Sequence, residues 1–197
     1  MTADDQPNAE PAATEDHDSD AALMMRFRAG ERQAFDLLFA KYRGPVINFA
    51  WRITGHLDRA EELAQEIFVK CYVAADSYEP RAKFSTWLFC IARNHCLNEL
   101  RKREYRTQSQ ALDETRLTAG QTPEQLLAQR QLAQTVDQLL GALPESQRTA
   151  LVLARFHEMS YEEIAQTMST SVSAIKSLLN RARKQLMTEL SERVRSR

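Results

Sequence analysis

Apolar residues recur at intervals of three and four along most of the chain, which is the period of an amphipathic helix. Between residues 21 and 49 this pattern is interrupted near Gly30 and again at Gly44-Pro45, where we expect helix breaks. Two further helices are expected over about 58–75 and 85–105. No run of alternating β-branched residues competes with this interpretation, so the pattern predicts an all-helical first half.

The apolar pattern weakens from about residue 106 to 121, a polar stretch ending near Gly120 that we interpret as a flexible linker. Helix-start signals follow at Thr122-Pro123 and at Ser160, and both are predicted capping boxes, completed by Gln125 and Glu163. Helices are expected over about 122–140, 144–157, 160–168 and from about 172 past 186. The pattern therefore predicts an all-α fold of two small helical domains, 21–105 and 122–192.

The last two predicted helices have the dimensions of a helix-turn-helix. Ile164, Ala165 and Met168 on the first would face Val172, Ile175, Leu179, Ala182 and Leu186 on the second. The turn, Ser169 to Ser171, lacks the glycine that such turns often contain. With the apolar positions buried, six polar residues point outward and suit the DNA major groove: Ser173, Lys176, Ser177, Asn180, Arg181 and Lys184. A basic surface helix in a bundle is the alternative.

Charge is strongly segregated, although the formal net charge is only −1. Residues 1–20 carry seven acids and no Lys or Arg, and the remainder has 20 acids against 26 bases. Two blocks, Arg81–Arg106 and Ala174–Arg197, each carry seven bases and two acids. Two basic blocks indicate that the protein binds a polyanion at two separate places. The acidic start is interpreted as a disordered solubilising tail, or as a segment that competes with DNA for the basic faces.

The first basic block is interleaved with aromatic residues, a combination that holds single-stranded nucleic acid. Packing in the core is the favoured role for Trp87, which shares a helical face with Phe84, Leu88 and Ile91. Contact with nucleic acid is predicted for Arg93, Asn94, Asn98, Arg101 and Lys102. The preceding helix buries Leu63, Ile67 and either Val69 or Cys71, and presents a polar, mainly acidic face suited to a basic protein: Asp58, Glu61, Glu62, Gln65 and Glu66.

Enzymatic and metal-binding functions find little support in the sequence. No phosphate-binding loop, dinucleotide fingerprint or H-E-x-x-H motif occurs, and the four histidines have no plausible catalytic partners. Cys90, His95 and Cys96 could imitate a metal cluster, but on one helix the two cysteines lie on nearly opposite faces. We therefore predict no cofactor and no metal. The three cysteines, the lack of a long apolar run and the acidic start favour a cytoplasmic protein without membrane insertion.

Three segments in order, AEELAQEIF, KFSTWLFCIARNHCLNELRKR and LPESQRTALVLARFHEMSYEEIAQTMSTSVSAIKSLLNRARKQL, resemble the extracytoplasmic-function sigma factors of bacterial RNA polymerase. The resemblance covers about residues 20 to 190. It implies a region 2 domain, a linker and a region 4 domain. By the same resemblance, the acidic helix binds a coiled coil of the largest clamp subunit of core RNA polymerase.

The resemblance also assigns DNA contacts. The loop from Asp76 to Phe84, with Tyr78, Arg81 and Lys83, and the helix after it match the part that opens the minus-ten element and holds a flipped base. The last helix matches the part that reads the minus-thirty-five element, and Tyr161 and Glu162 abut the same DNA. Ala174 and Leu178 depart from the commonest family pattern.

The resemblance further implies control by an anti-sigma factor, which can be membrane-bound. Two other functions stay open at this point. One is a sigma mimic that sequesters an anti-sigma factor without binding DNA, although this chain retains both basic blocks and has no room for a receiver domain. The other is a one-domain repressor, which would leave residues 21–105 without a purpose.

Overall fold

The computed structural model describes residues 19–107 and 135–195, and all regular structure in these ranges is helical. A single 3₁₀ turn, Ala75–Ser77, interrupts the first range. The helices are α1 Asp20–Arg28, α2 Arg32–Thr54, α3 Leu57–Val73, α4 Phe84–Thr107, α5 Glu145–Phe156, α6 Tyr161–Thr167 and α7 Val172–Arg195. Residues 135–141 are helical as well. The all-α prediction is confirmed. Residues 1–18 of the predicted acidic tail, most of the predicted linker and the Thr122-Pro123 helix start lie outside the described residues, whereas Asp20, the last residue of the predicted tail, begins α1.

Helices α1 to α4 form a bundle whose core is rich in aromatic residues. Phe49, Phe84 and Tyr78 are at most 1% exposed, and rings pair at contact distances such as 4.7 Å between the Phe27 and Phe35 centroids. The break between α1 and α2 falls at Gly30, which has a φ of 104°. The prediction of a break there is confirmed, and Gly30 supplies the backbone conformation that a side chain would oppose.

The second predicted break in this bundle is wrong, because α2 runs without interruption through Gly44 and Pro45. A proline inside a helix costs about 3 kcal/mol, since it removes one backbone hydrogen bond and crowds the preceding turn. The next turn buries Val46, Phe49 and Ala50 completely. Burying each large side chain contributes about 1.5–3 kcal/mol, so packing outweighs the cost of the proline.

Residues 135–141 and helices α5 to α7 form the second unit. Its core contains Leu153, Ile164 and Ile175, each without exposed surface. Ser160 and Glu163 form the predicted capping box: the Ser160 amide donates to Glu163 Oε2 at 2.8 Å, and the Glu163 amide donates to Ser160 Oγ at 3.2 Å. That prediction is confirmed, and the cap sets where α6 begins.

The two units pack directly against each other, and one continuous apolar core includes residues of both. Helix α2 contacts α5, and α4 contacts α6. The imidazole of His157 lies 4.3 Å from the ring of Phe89 and 5.8 Å from that of Phe49. Arg148 donates to the carbonyl oxygen of Ile53 at 2.8 Å, which satisfies an acceptor at the end of α2.

Within the described ranges, no helix is both long enough and apolar enough to cross a bilayer.

Candidate functional site

The predicted acidic face lies along the outer side of α3. Asp58, Glu61, Glu62 and Gln65 are exposed, and Glu66 is half-buried. Cys71 has no exposed surface and Val69 is 63% exposed, so of the two residues proposed for the buried stripe only Cys71 belongs to it. The structure therefore brings the five predicted residues to one surface.

Part of the charge on this face is neutralised within the chain. Arg59 contacts Glu62, lies 2.9 Å from Glu66 and lies 3.5 Å from Glu99 on α4. His95 Nε2 is 2.7 Å from the second oxygen of Glu66. Burial acts to raise the pKa of Glu66, but the His95 hydrogen bond and the Arg59 charge outweigh it, and the pKa is lowered. Asp58 and Glu61 form no ion pair within the described residues.

Beside the acids lies an exposed apolar groove that the sequence pattern did not reveal. Its volume is about 340 Å³, and it is lined by Phe35, Phe39, Gln65, Phe68, Val69, Tyr72 and Val73. Val73 is 78% exposed and Tyr72 47% exposed. Three apolar residues at positions 69, 72 and 73 continue the helical period past the buried stripe, which is the signal that could have found this surface. Large exposed apolar patches mark interaction surfaces.

Most of the predicted minus-ten residues line the outer surface of α4 and the loop before it. Arg81, Lys83, Asn94, Asn98, Arg101 and Lys102 are exposed, and Arg93 is partly buried. Asn94, Asn98, Arg101 and Lys102 follow the spacing of three and four that places side chains on one helix face. Lys102 also lines an open cleft of about 660 Å³ against the acidic face, together with Glu62 and Glu66.

Tyr78 is placed differently from the prediction of a DNA contact. Its ring is 1% exposed and packs on Phe84 and Trp87 at centroid distances of 6.0 and 5.6 Å. The hydroxyl donates to the carbonyl oxygen of Ala82 at 3.1 Å, and burial raises the pKa of Tyr78. In this arrangement Tyr78 positions the loop, because its ring belongs to the core. Trp87 is half-buried in the same cluster, as favoured from its position on the helix.

The helix-turn-helix is built as predicted from α6, a tight turn and α7. Ile164, Ala165 and Met168 are buried against Ile175, Leu179 and Ala182, while Val172 and Leu186 are partly buried. Ser169 adopts a φ of 51°, so serine takes the left-handed conformation that glycine usually supplies in such a turn. Ser171 Oγ accepts a hydrogen bond of 3.1 Å from the Ala174 amide and caps α7.

All six residues predicted to face outward from α7 are exposed: Ser173, Lys176, Ser177, Asn180, Arg181 and Lys184. Lys176, Arg181 and Lys184 form no ion pair within the described residues. At the start of α6, Glu162 is exposed and Tyr161 is half-buried. The first turns of α7 thus present hydrogen-bond donors and a planar amide on a rigid helix, the arrangement that reads base edges in a major groove.

These features define a two-domain helical protein with a helix-turn-helix and a second basic surface on α4 and the loop before it. The family model for Sigma-70 region 2 matches residues 38–106, and that for Sigma-70 region 4 matches residues 133–186. The chain is 33% identical over 175 residues to the RNA polymerase sigma-H factor of Pseudomonas aeruginosa, covering 84% of this chain and 91% of that one. It is 30% identical over 174 residues to the ECF RNA polymerase sigma factor SigW of Bacillus subtilis, covering 84% and 93%.

Among solved structures, the chain resembles the sigma factor RpoE of Bartonella quintana, determined in complex with the anti-sigma factor NepR. The TM-score is 0.67 at 27% identity, over 80% of this chain and 96% of that one. The chain belongs to the sigma-70 family, in its extracytoplasmic-function group. The family and the fold implied by the three sequence segments are confirmed; the roles of individual residues remain predictions.

Proposed function

We propose that this protein binds core RNA polymerase, directs it to a set of promoters and helps to melt their minus-ten element. The observation that carries the proposal is the exposed polar face of α7 in a helix-turn-helix, joined in one chain to a second basic surface on α4. Residues 21–105 serve as region 2, 106–121 as the linker and 122–192 as region 4. The protein acts by binding, without a catalytic step or cofactor, in the cytoplasm where its polymerase works.

Core polymerase binds the outer side of α3. Its exposed carboxylates, Asp58, Glu61 and Glu62, suit a basic partner, and the neighbouring apolar groove adds a surface that gains from burial. Charged residues around an apolar centre are the usual composition of a protein interface. Glu66 contributes by fixing Arg59 and His95 in place.

The minus-ten element binds along α4. Arg101 and Lys102 are exposed residues in the carboxyl-terminal half of α4, and Asn94 and Asn98 lie on the same face of the helix. Cationic side chains track phosphates, and amides can hydrogen-bond the edges of unpaired bases. Unstacking a base costs a few kcal/mol, which the contacts around it must offset.

The minus-thirty-five element binds the outer face of α7. Lys176 and Arg181 are suited to donate hydrogen bonds to guanine, and Asn180 is suited to pair with adenine. Ser173 and Ser177 can hydrogen-bond to either base. Tyr161 and Glu162 approach the same DNA from the start of α6.

An anti-sigma factor controls the protein. Support comes from the solved relative RpoE, which was determined with its anti-sigma factor and which the chain matches over 80% of its length. An alignment of that extent includes both helical units. The partner of this chain can be soluble or membrane-bound, and the gene beside it is the first place to look.

Run-off transcription with purified core polymerase tests the proposal. Genomic fragments from the source bacterium are transcribed with core alone, with core plus this protein, and with core plus a variant carrying Lys176→Ala and Arg181→Ala. We expect discrete products that need the protein and are reduced by the variant. If no fragment gives a product dependent on the protein, the proposed function is wrong.

A further inference from the structure

The predicted minus-ten loop, Asp76 to Phe84, is exposed over most of its length. Six of its residues are exposed: Asp76, Ser77, Glu79, Pro80, Arg81 and Lys83. Two backbone hydrogen bonds close turns in this segment. The Tyr78 amide donates to the carbonyl oxygen of Ala75 at 3.0 Å, and the Ala82 amide donates to that of Glu79 at 3.3 Å. Further contacts must hold the loop in one conformation, because ordering the backbone of each residue costs free energy.

Arg28, the last residue of α1, reaches the middle of this loop. Its Nη1 donates to the carbonyl oxygen of Tyr78 at 3.0 Å, although the two residues are 50 positions apart in the sequence. A hydrogen bond from a charged donor is stronger than one between neutral groups. Arg28 Nε also lies 3.8 Å from Asp76, but that carboxylate is 98% exposed, so the ion pair adds little. The bond to the Tyr78 carbonyl is therefore the main contact between α1 and the loop.

Helix α1 is a rigid support for Arg28. Met24, one turn before Arg28, has no exposed surface and anchors the helix in the core. At the other end of α1, Asp20 Oδ2 accepts a hydrogen bond of 2.5 Å from the hydroxyl of Tyr42. The ring of Tyr42 packs on Phe84 at a centroid distance of 5.3 Å. Helix α1 is thus connected to the middle of the loop at one end, and at the other, through Tyr42, to the residue where the loop ends.

Tyr78 connects the Arg28 contact to the rest of the loop. Its ring lies in the core, its carbonyl oxygen accepts from Arg28, and its hydroxyl donates to the carbonyl oxygen of Ala82 at 3.1 Å. Residues 79–81 lie between these two bonded positions, and Pro80 among them has a fixed φ. The exposed tip of the loop therefore has both of its ends fixed by the protein.

We propose that Arg28 is a positioning residue for minus-ten recognition, which orders the loop before an unpaired base enters it. Without Arg28 the DNA itself must order the loop, and that cost is subtracted from the binding free energy. A loop that can change shape also accepts a wrong base more readily, so selectivity falls. Helix α1 lies outside residues 38–106, which the region 2 family model matches. The role in recognition rests on the proposed function, whereas the ordering of the loop by Arg28 does not.

Hydrogen–deuterium exchange in the free, full-length protein tests the ordering. Arg28→Met removes the donors and keeps an unbranched side chain, whereas Arg28→Lys keeps the charge and can still donate. Arg26→Met is the matched control, because Arg26 lies on the same helix and pairs with Glu31. We expect peptides covering residues 76–84 to exchange about fivefold faster or more in Arg28→Met, with part of the protection restored in Arg28→Lys and no change in Arg26→Met. Peptides from α3 should be unchanged in every variant.

Promoter selectivity tests the consequence for recognition. A promoter that gives a run-off product, and versions of it with each minus-ten base changed singly, are transcribed with core polymerase and saturating protein. We expect Arg28→Met to lower the preference for the original base about threefold or more at one minus-ten position, with unchanged affinity for core. Tyr78→Phe, which lacks only the hydroxyl that bonds to Ala82, should act in the same direction. Arg28→Lys should restore a substantial part of the preference, and Arg26→Met should retain all of it.

Three results would overturn the proposal. Loop exchange that is the same in Arg28→Met and in the parent shows that Arg28 does not order the loop. Faster exchange in α3 as well as in the loop shows that Arg28 supports the fold in general. Faster loop exchange with transcription unchanged, or reduced equally, on all promoter versions shows that the ordering does not serve base recognition. If the parent gives no product that depends on it, the proposed function fails, while the exchange result still decides whether Arg28 orders the loop.

Discussion

On α3, the number of acidic residues is larger than the number of carboxylates that are free to bind a partner protein. Arg59 and His95 engage two of the acids on the predicted polymerase face. Replacing Glu66 would therefore disturb contacts with α4 as well as any interface. Glu61 is exposed and outside this network, so a substitution there tests binding to the polymerase without disturbing the fold.

Glu61→Lys should weaken binding to core polymerase by about tenfold without changing the midpoint of thermal unfolding. Reversing one rim charge changes association with a basic partner and leaves the core of the bundle untouched. Surface plasmon resonance with immobilised core measures the affinity. Glu66→Lys is the matched comparison and should lower the unfolding midpoint too, since it breaks the bonds to Arg59 and His95. Unchanged affinity in Glu61→Lys would place the interface elsewhere.

Arg181→Ala should cost about 1–3 kcal/mol of the binding free energy that depends on one base pair of the minus-thirty-five element, and little at the other base pairs. The reason is that a side chain that hydrogen-bonds a base edge discriminates only at that base. A promoter library selected in run-off transcription, read for the parent and the variant, measures this. Arg155→Ala removes an exposed arginine from α5 outside the predicted surface and should leave the preferences unchanged. An equal loss of transcription on all promoter sequences would show that Arg181 contacts a backbone phosphate and not a base.

Helices show where local signals and packing disagree. The pattern predicts the start of α6 correctly, since a capping box satisfies backbone donors with neighbours in sequence. The pattern does not predict that α2 continues through Pro45, because the helix is stabilised there by burial of the residues that follow the proline. It also assigns one apolar face to α4, whereas Phe89, Ala92 and Cys96 are buried as well. Helix α4 packs on α2 and α3 and also on α6, so it is covered on several sides.

Gly55→Ala should destabilise the protein by about 1 kcal/mol. Gly55 ends α2 at a φ of 77°, a conformation that opposes a side chain. Urea unfolding followed by circular dichroism measures the change. Gly44→Ala is the comparison and should change stability less, because alanine inside α2 gains helix propensity but its Cβ is crowded by the ring of Pro45, the next residue. Unchanged stability in Gly55→Ala would contradict the left-handed conformation at the end of α2.

At the scale of the whole molecule, the two helical units pack directly against each other through one continuous apolar core. His157, a titratable group, lies at this contact, with its ring 4.3 Å from that of Phe89 and 5.8 Å from that of Phe49. Burial, and secondly the charge of Arg52, lower the pKa of His157 from 6.5 to about 4. Asp137, which lies 3.3 Å from Arg52 across the contact, has its pKa raised by burial although Arg52 opposes this. The two groups therefore respond to pH in opposite directions.

The contact between the two units should weaken as the pH falls from about 6.5 to 4. With the units apart, His157 leaves the rings of Phe49 and Phe89 and binds a proton in this window that it does not bind when the units are packed together, so its contribution is complete above 6.5 and lost below 4. The loss is at most about 3 kcal/mol, because the raised pKa of Asp137 acts in the opposite direction. Energy transfer between fluorophores attached at cysteines that replace the exposed residues Gln33 and Thr188, measured against pH, tests this. His157→Phe does not titrate and should remove most of the dependence; a dependence equal to that of the parent would contradict it.

The sequence by itself determined the helical architecture, the helix-turn-helix and the exposed face of α7. These follow from periodicity, caps and turn residues, which act between neighbours along the chain. Only the tertiary structure decided that Tyr78 belongs to the core, that Arg59 neutralises part of the acidic face, and that His157 packs against Phe49 and Phe89. Each of these depends on groups from separate helices, and their distances arise only when the whole core packs.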